Sequence, residues 1–352
     1  MKKQSLLVGC SLIVCVACTN REPSEPVAVT SSQLAVDEAP RKDAPATDAY
    51  RRVRDAFAAQ TQDTLSFSVF DLDDAVAADQ DPLARAASLG VSGTPKKITD
   101  GPREVFVTDK HRFVQDLLSG TEFFADRTQF HIGHAVDPSE LMTESSYIGR
   151  AQEYVQRTFP TLTGHVNLYP YKVWTYMNGR GQGDGPTEAI EAYQIAVCFN
   201  TMLDDGTPVI GSGGKVAVHM TPAGDVIAHE LTIRTVKSQR ATVAGDQLLS
   251  PDDALAQVNG KLEARGVNLE HFTLDRAEFG YYRRGRDSTQ SVMAPHYAYF
   301  FKPKEGVESK KLLEVVPAVK DPTLLAVIEA DARDDRLRKE EIRTADGPVD
   351  TK

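Results

Sequence analysis

The stretch Lys215-Val216-Ala217-Val218-His219-Met220-Thr221-Pro222-Ala223-Gly224-Asp225-Val226-Ile227-Ala228-His229-Glu230-Leu231-Thr232-Ile233-Arg234-Thr235-Val236 decides the fold class. Both arms carry β-branched residues, and Pro222, Gly224 and Asp225 between them are residue types that reverse a chain tightly. The spacing predicts an antiparallel hairpin of Lys215–Met220 against Val226–Val236. Strand alternation puts Ile227, His229, Leu231 and Ile233 on one face, and the hairpin could bring His219 alongside His229.

Working upstream, Asp204-Asp205-Gly206 marks a turn after an extended run from Ala192 to Met202. The glycine-rich Gly179-Arg180-Gly181-Gln182-Gly183-Asp184-Gly185 separates that run from another, aromatic one at Val166–Met177. A helix is expected within Ser139–Phe159, with Tyr147, Ile148, Ala151, Tyr154 and Val155 as one buried stripe and Pro160 as its stop. Before it come extended segments at 104–107, 112–118 and 121–126, a helical turn or two at Pro82–Leu89, a strand at Thr64–Leu72, and a helix at Asp48–Gln60 capped by Asp48. Downstream, Ser250, Pro251 and Asp253 form a sharp helix start, with Leu255, Val258 and Leu262 as its apolar stripe. Strands follow at Leu269–Tyr282, Ala294–Lys302 and Lys311–Val316, then a charged helix over 322–343 with Leu324, Leu325, Ile328, Leu337 and Ile342 as sparse apolar positions. The fold class is α+β.

Each half runs from a helix through the tripeptide Val-Asn-Leu, at 166–168 and 267–269, into an aromatic strand, a polar loop and a second strand. This order reads as a degenerate duplication of a helix packed on an antiparallel sheet. The letters add a resemblance. Gly206-Thr207-Pro208-Val209-Ile210-Gly211 through Val216, Thr221-Pro222-Ala223-Gly224-Asp225-Val226, Ser250-Pro251-Asp252-Asp253-Ala254-Leu255 and Ser119-Gly120 through Asp126 are similar to segments of PepSY and thermolysin-propeptide (FTP) modules. The resemblance covers roughly residues 100–320. It implies tandem cystatin-like modules without catalytic residues of their own, which inhibit or chaperone a protease or serve envelope regulation. The implied layout is an N-terminal α+β region at 48–136, one module at 137–245, a second at 246–320, and a charged C-terminal helix and tail at 321–352.

The N-terminus reads as an address. Lys2 and Lys3 precede an uncharged apolar run, Leu6–Ala17, shorter than the ~20 residues a spanning helix needs but suited to a secretory signal. Cys15-Val16-Ala17-Cys18 resembles the lipobox of bacterial lipoproteins, which implies cleavage after Ala17 and a lipid on Cys18. A plain secretory signal with incidental cysteines is the other reading. Pro23, Pro26, Pro40 and Pro45 among small and polar residues make 18–47 a tether. The expected location is thus outside the cytoplasm, anchored to the cell membrane through Cys18, or to the outer membrane if the cell has one. The 352 residues are 41% hydrophobic and 26% charged, an ordinary globular balance that excludes wholesale disorder, collagen and a multi-span membrane protein. A formal charge of −10 argues against nucleic acid as a partner.

Reaction chemistry is scarce in the sequence. His229-Glu230 lacks the second histidine of a His-Glu-x-x-His zinc site. Gly211-Ser212-Gly213-Gly214-Lys215 joins two strands and lacks the serine or threonine that follows a phosphate-loop lysine. Cys198, in a strand, reads as a small buried hydrophobe. No cofactor is implied. His131 with His134, or His219 with His229, are the candidates for a metal. Tyr169, Tyr171, Trp174, Tyr176, Tyr281, Tyr282, Arg283 and Arg284 are the candidates for a contact surface, since aromatics and arginine are favoured at interface centres. The expected function is a non-enzymatic, membrane-anchored lipoprotein that binds an envelope or extracellular protein. The alternatives are an exported metal-assisted enzyme and a structural envelope protein.

Overall fold

A computed structural model describes residues 45–72, 81–129, 135–160, 167–180, 189–285 and 288–345. In chain order the elements are α1 (Pro45–Ala58), β1 (Ser66–Leu72), α2 (Pro82–Ser88), β2 (Lys96–Asp100), β3 (Arg103–Val107), β4 (His111–Asp116), β5 (Glu122–Asp126), α3 (Glu144–Thr158), β6 (Asn167–Arg180), β7 (Ala189–Met202), β8 (Val209–Gly211), β9 (Lys215–Met220), β10 (Val226–Leu231), β11 (Val236–Ala244), α4 (Pro251–Ala264), β12 (Phe272–Arg283), β13 (Val292–Met293), β14 (Pro295–Pro303), β15 (Leu312–Pro317) and α5 (Pro322–Ala345). The fold is α+β. Helices pack on antiparallel sheets, with β8 and β12 forming a parallel pair.

The hairpin of β9 and β10 lies inside an eight-stranded sheet ordered β2-β3-β4-β5-β10-β9-β7-β6. Strands β15-β14-β12-β8 make a second sheet and β11-β1-β13 a third. Thr143 caps α3 by accepting from the Ser146 amide, and the buried stripe Tyr147, Ala151 and Val155 lies on Ile195, Val197, Phe199, Val216 and Val218. Ser250 caps α4 in the same way, and Ala254, Val258 and Leu262 pack with Ala49 and Val53 of α1 onto Phe279, Tyr297, Tyr299 and Val316. Each such large apolar side chain contributes about 1.5–3 kcal/mol when fully buried.

Several boundaries differ from the sequence expectation, each for a physical reason. Helix α1 starts at Pro45, so Asp48 sits in its first turn and pairs with Arg51 at 2.8 Å instead of capping it. The second hairpin arm ends at Leu231, and Val236 opens β11, which pairs with β1 in another sheet. The break follows from Arg234, whose buried guanidinium turns inward to bind backbone carbonyls. Leu269 belongs to a short 3-10 turn capped by Asn268, whereas Leu168 already lies within β6. The repeated tripeptide therefore holds different positions in its two occurrences, and Val166 is outside the described residues.

The glycines at 211–214 serve close backbone approach. A Cβ on Gly213 would collide with the Arg284 carbonyl oxygen, and one on Gly211 with that of Arg283. Gly213 instead donates its amide to Arg283 at 3.1 Å, which lets β8 lie beside β12.

Candidate functional site

The proposed contact residues fall into two groups. Tyr169, Tyr171, Trp174 and Tyr176 lie on β6, one of the two edge strands of the eight-stranded sheet. Pro170 is tolerated there because an edge strand has one side with no ladder to break. Lys172 pairs with Cys198, Trp174 with Ala196 and Tyr176 with Gln194. These residues occupy the sheet face opposite the one on which Val173, Val197 and α3 pack. Two cations sit on the aromatic row. Lys172 Nζ is 3.4 Å from the Trp174 ring centroid, and Lys215 Nζ is 5.8 Å from that of Tyr171. Tyr171 is 44% exposed, enough to meet another surface. Burial pushes the Tyr176 hydroxyl up to about 12, so it stays protonated.

The β12 quartet is placed differently, packed against other elements of the fold. Tyr281 is fully buried and its hydroxyl accepts from the Ser68 amide at 3.0 Å. Arg283 is buried too, with Nη1 donating to the Arg234 carbonyl at 2.7 Å, and burial pushes its guanidinium down to about 9. Tyr282 stacks at a tilt on His296, with centroids 5.3 Å apart. Arg284 is paired with Asp331 of α5 at 3.0 Å. These four side chains join elements to one another. Cys18, His131, His134 and the loop at 181–185 lie outside the described residues.

His219 and His229 do not converge. In the β9–β10 register His229 faces Val218 while His219 faces Ala228, so the two imidazoles leave opposite faces of the sheet. His219 is hydrogen-bonded to the Gln194 side chain at 2.6 Å, and burial pushes it down to about 4. A metal shared by this pair has no geometric basis.

His229 instead closes a buried polar chain. Its Nε2 is 2.8 Å from Glu122 Oε1 and its Nδ1 is 2.7 Å from the Tyr154 hydroxyl. Arg85 of α2 grips both oxygens of Glu122, at 2.7 and 2.9 Å. Burial raises the Glu122 carboxyl, but hydrogen bonds from His229 and Arg85 outweigh it and leave the group below its ordinary value. An ionised carboxylate only accepts, so Nε2 carries the imidazole proton and Nδ1 accepts from Tyr154 O–H. Phe124 and Phe159 enclose the ring, at 5.6 and 5.1 Å between centroids. The ring of Tyr154 also lines an open groove of about 720 Å³ between α3 and the β9–β10 turn, with Arg150, Glu153, Arg157 and Asp225 around it.

Among these residues, sequence reading named His229 and placed Tyr154 on a buried helix stripe. It missed Glu122 and Arg85, as well as the cations Lys172 and Lys215. The one available signal was a glutamate and an arginine inside otherwise apolar elements.

No protein-family model and no curated protein matches the chain. Among solved structures, it is similar to an uncharacterized protein from Eubacterium rectale at 9% identity and a TM-score of 0.45, over 72% of this chain and 84% of that one. It is also similar to the Bacillus megaterium YpeB C-terminal domain at 10% identity and a TM-score of 0.28, over 70% of this chain and 95% of that one.

Proposed function

We propose that the chain is a lipoprotein of the cell envelope that acts by binding protein, with no catalytic step of its own. Its anchor would be Cys18, and residues 18–47 would hold the folded part away from the membrane. Its helix-on-sheet halves would be degenerate PepSY-like modules serving regulation, inhibition or chaperoning of the bound protein. The observation that carries this reading is β6, a 14-residue edge strand bearing Tyr169, Tyr171, Trp174 and Tyr176. An edge strand offers unused backbone donors and acceptors, and an aromatic row beside it supplies contact area at low conformational cost. The histidines support the enzyme alternative less well, since His219 and His229 point to opposite faces and each is engaged by neighbouring side chains.

The test is a cross-linking pull-down from intact cells with wild-type chain and Trp174→Ala. A specific protein captured by the first and lost with the second is the expected result. Capture unchanged by the substitution removes β6 from the proposal. Stoichiometric metal in the purified protein, with activity lost on chelation, would replace it by the enzyme reading.

A further inference from the structure

Among the described residues β2 and β6 are the two edges of the eight-stranded sheet, and they differ in character. Strand β2 is five residues long, wholly exposed, and begins with Lys96 and Lys97, the kind of edge that repels another strand. Strand β6 is long and aromatic, and its pairing partner among the described residues is β7 alone. Its pairing to β7 is irregular at two places, between Pro170 and Lys172 and between Tyr176 and Met177. Between them lies one regular window, Lys172-Val173-Trp174-Thr175-Tyr176, paired residue for residue with Cys198 to Gln194. Trp174 stands at the centre of that window.

We infer that the occupant of the β6 edge is a second copy of this chain, its β6 running antiparallel across a two-fold axis at Trp174. This rests on the reading of β6 as the contact surface and names its partner. An isologous interface must be self-complementary, and this strand is. Antiparallel pairing about Trp174 sets Lys172 against Tyr176 of the partner subunit, Val173 against the partner's Thr175, and Trp174 against the partner's Trp174. Each contact is one that cross-strand pairs favour: a cation beside an aromatic ring, two β-branched side chains, and two indoles. Lysine meets no lysine. The window carries no acidic residue, so no carboxylate is left against a ring. Lys172, Trp174 and Tyr176 share one sheet face, so the aromatic row continues unbroken from one copy into the other. The two eight-stranded sheets then form one continuous sheet.

Trp174 is the sole tryptophan of the chain, so its emission reports the proposed axis directly. The experiment is sedimentation of the full-length chain over a concentration series, with tryptophan emission recorded in parallel. The expected result is a reversible monomer–dimer equilibrium whose midpoint coincides with a shift in emission. Trp174→Lys and Trp174→Glu, each placing like charges across the axis, should sediment as monomers with wild-type circular dichroism. Their equimolar mixture should regain the dimer, because lysine then faces glutamate. Trp174→Cys gives a reading that does not depend on those variants folding. Directly opposed antiparallel residues lie about 4.5–5.5 Å apart at Cα, within disulfide reach, so in a background with Cys10, Cys15, Cys18 and Cys198 replaced by serine mild oxidation should link two copies of Trp174→Cys and leave the parent background unlinked.

A wild-type monomer at every concentration, a dimer unchanged by Trp174→Lys, or no cross-link through Trp174→Cys overturns the inference. If wild type is monomeric while Trp174→Ala still loses a captured protein in cells, the second copy falls and β6 as a contact surface stands. If neither self-association nor capture depends on Trp174, both fall together.

Discussion

Glu122 is buried among phenylalanines and yet charged, because Arg85 and His229 together satisfy its oxygens. Removing one member leaves a buried charge uncompensated, which costs about 3–5 kcal/mol. Glu122→Ala should therefore destabilise the fold by that amount in urea unfolding, and far more than Lys97→Ala, which removes an exposed cation from Glu104. The histidines predict a pH dependence of definite sign. Burial pushes His219 and His296 each down from 6.5 to about 4. Between those values the unfolded chain binds protons that the folded chain refuses, so stability falls as pH falls. Their contribution is complete above about 6.5 and is lost on the way down to about 4, at up to roughly 1.4 kcal/mol per pH unit for each imidazole. Urea midpoints measured from pH 8 to 4 should be flat at first and then drop, and less steeply in His219→Gln. Sequence alone could name His229 but not its chemistry. Its carboxylate partner is 107 positions away, and the arginine on that carboxylate comes from a short helix with its own local signals.

At the scale of elements, what was legible is what is locally encoded. The caps at Ser250 and Asp81, the β9–β10 turn and the stripe of α3 are decided within a few residues, and sequence reading found the last two and the Ser250 start. What was hidden is set by partners far along the chain. The glycines at 211–214 signal a tight spot but not its other wall, which is the backbone of Arg283 and Arg284. Gly213→Ala should displace β8 from β12 and cost on the order of 1–3 kcal/mol, the usual penalty of overpacking. Gly260→Ala is the control, since nothing lies within 4 Å of its added methyl group and it sits within α4, where alanine is the better helix former. A fall in thermal midpoint for Gly213→Ala, with none for Gly260→Ala, is the expected pattern. The candidate surface divides on the same principle. The β6 aromatics follow from their own strand, while Tyr281 and Arg283 look identical in sequence and are interior because other sheets close over them.

For the whole molecule, the open question is what makes three sheets fold as one structure, and Arg234 is the residue that answers it. It sits in the break between β10 of the eight-stranded sheet and β11 of the three-stranded one. Its guanidinium donates to the carbonyls of Ser119 in the β4–β5 turn, Gln290 and Ser288, while its own carbonyl accepts from Arg283 at the end of β12. One side chain and its backbone thus tie together turns belonging to all three sheets, at a position only 7% exposed. Burial lowers the guanidinium's affinity for its proton, with nearby Asp331 opposing, and the carbonyls compensate by accepting from the cation. Arg234→Met keeps much of the volume but strands three buried carbonyls, each worth about 1–3 kcal/mol if left unsatisfied. The expected loss exceeds that of an ordinary single contact, and it falls on the coupling between sheets as well as on their stability. Trp174 emission reports the eight-stranded sheet, whereas amide hydrogen exchange in β12 and β14 reports the other core. In the wild type the two signals should unfold at one denaturant concentration. In Arg234→Met they should separate, because each sheet then melts on its own packing. Coincident curves in the variant would mean that the helices, not this arginine, carry the coupling.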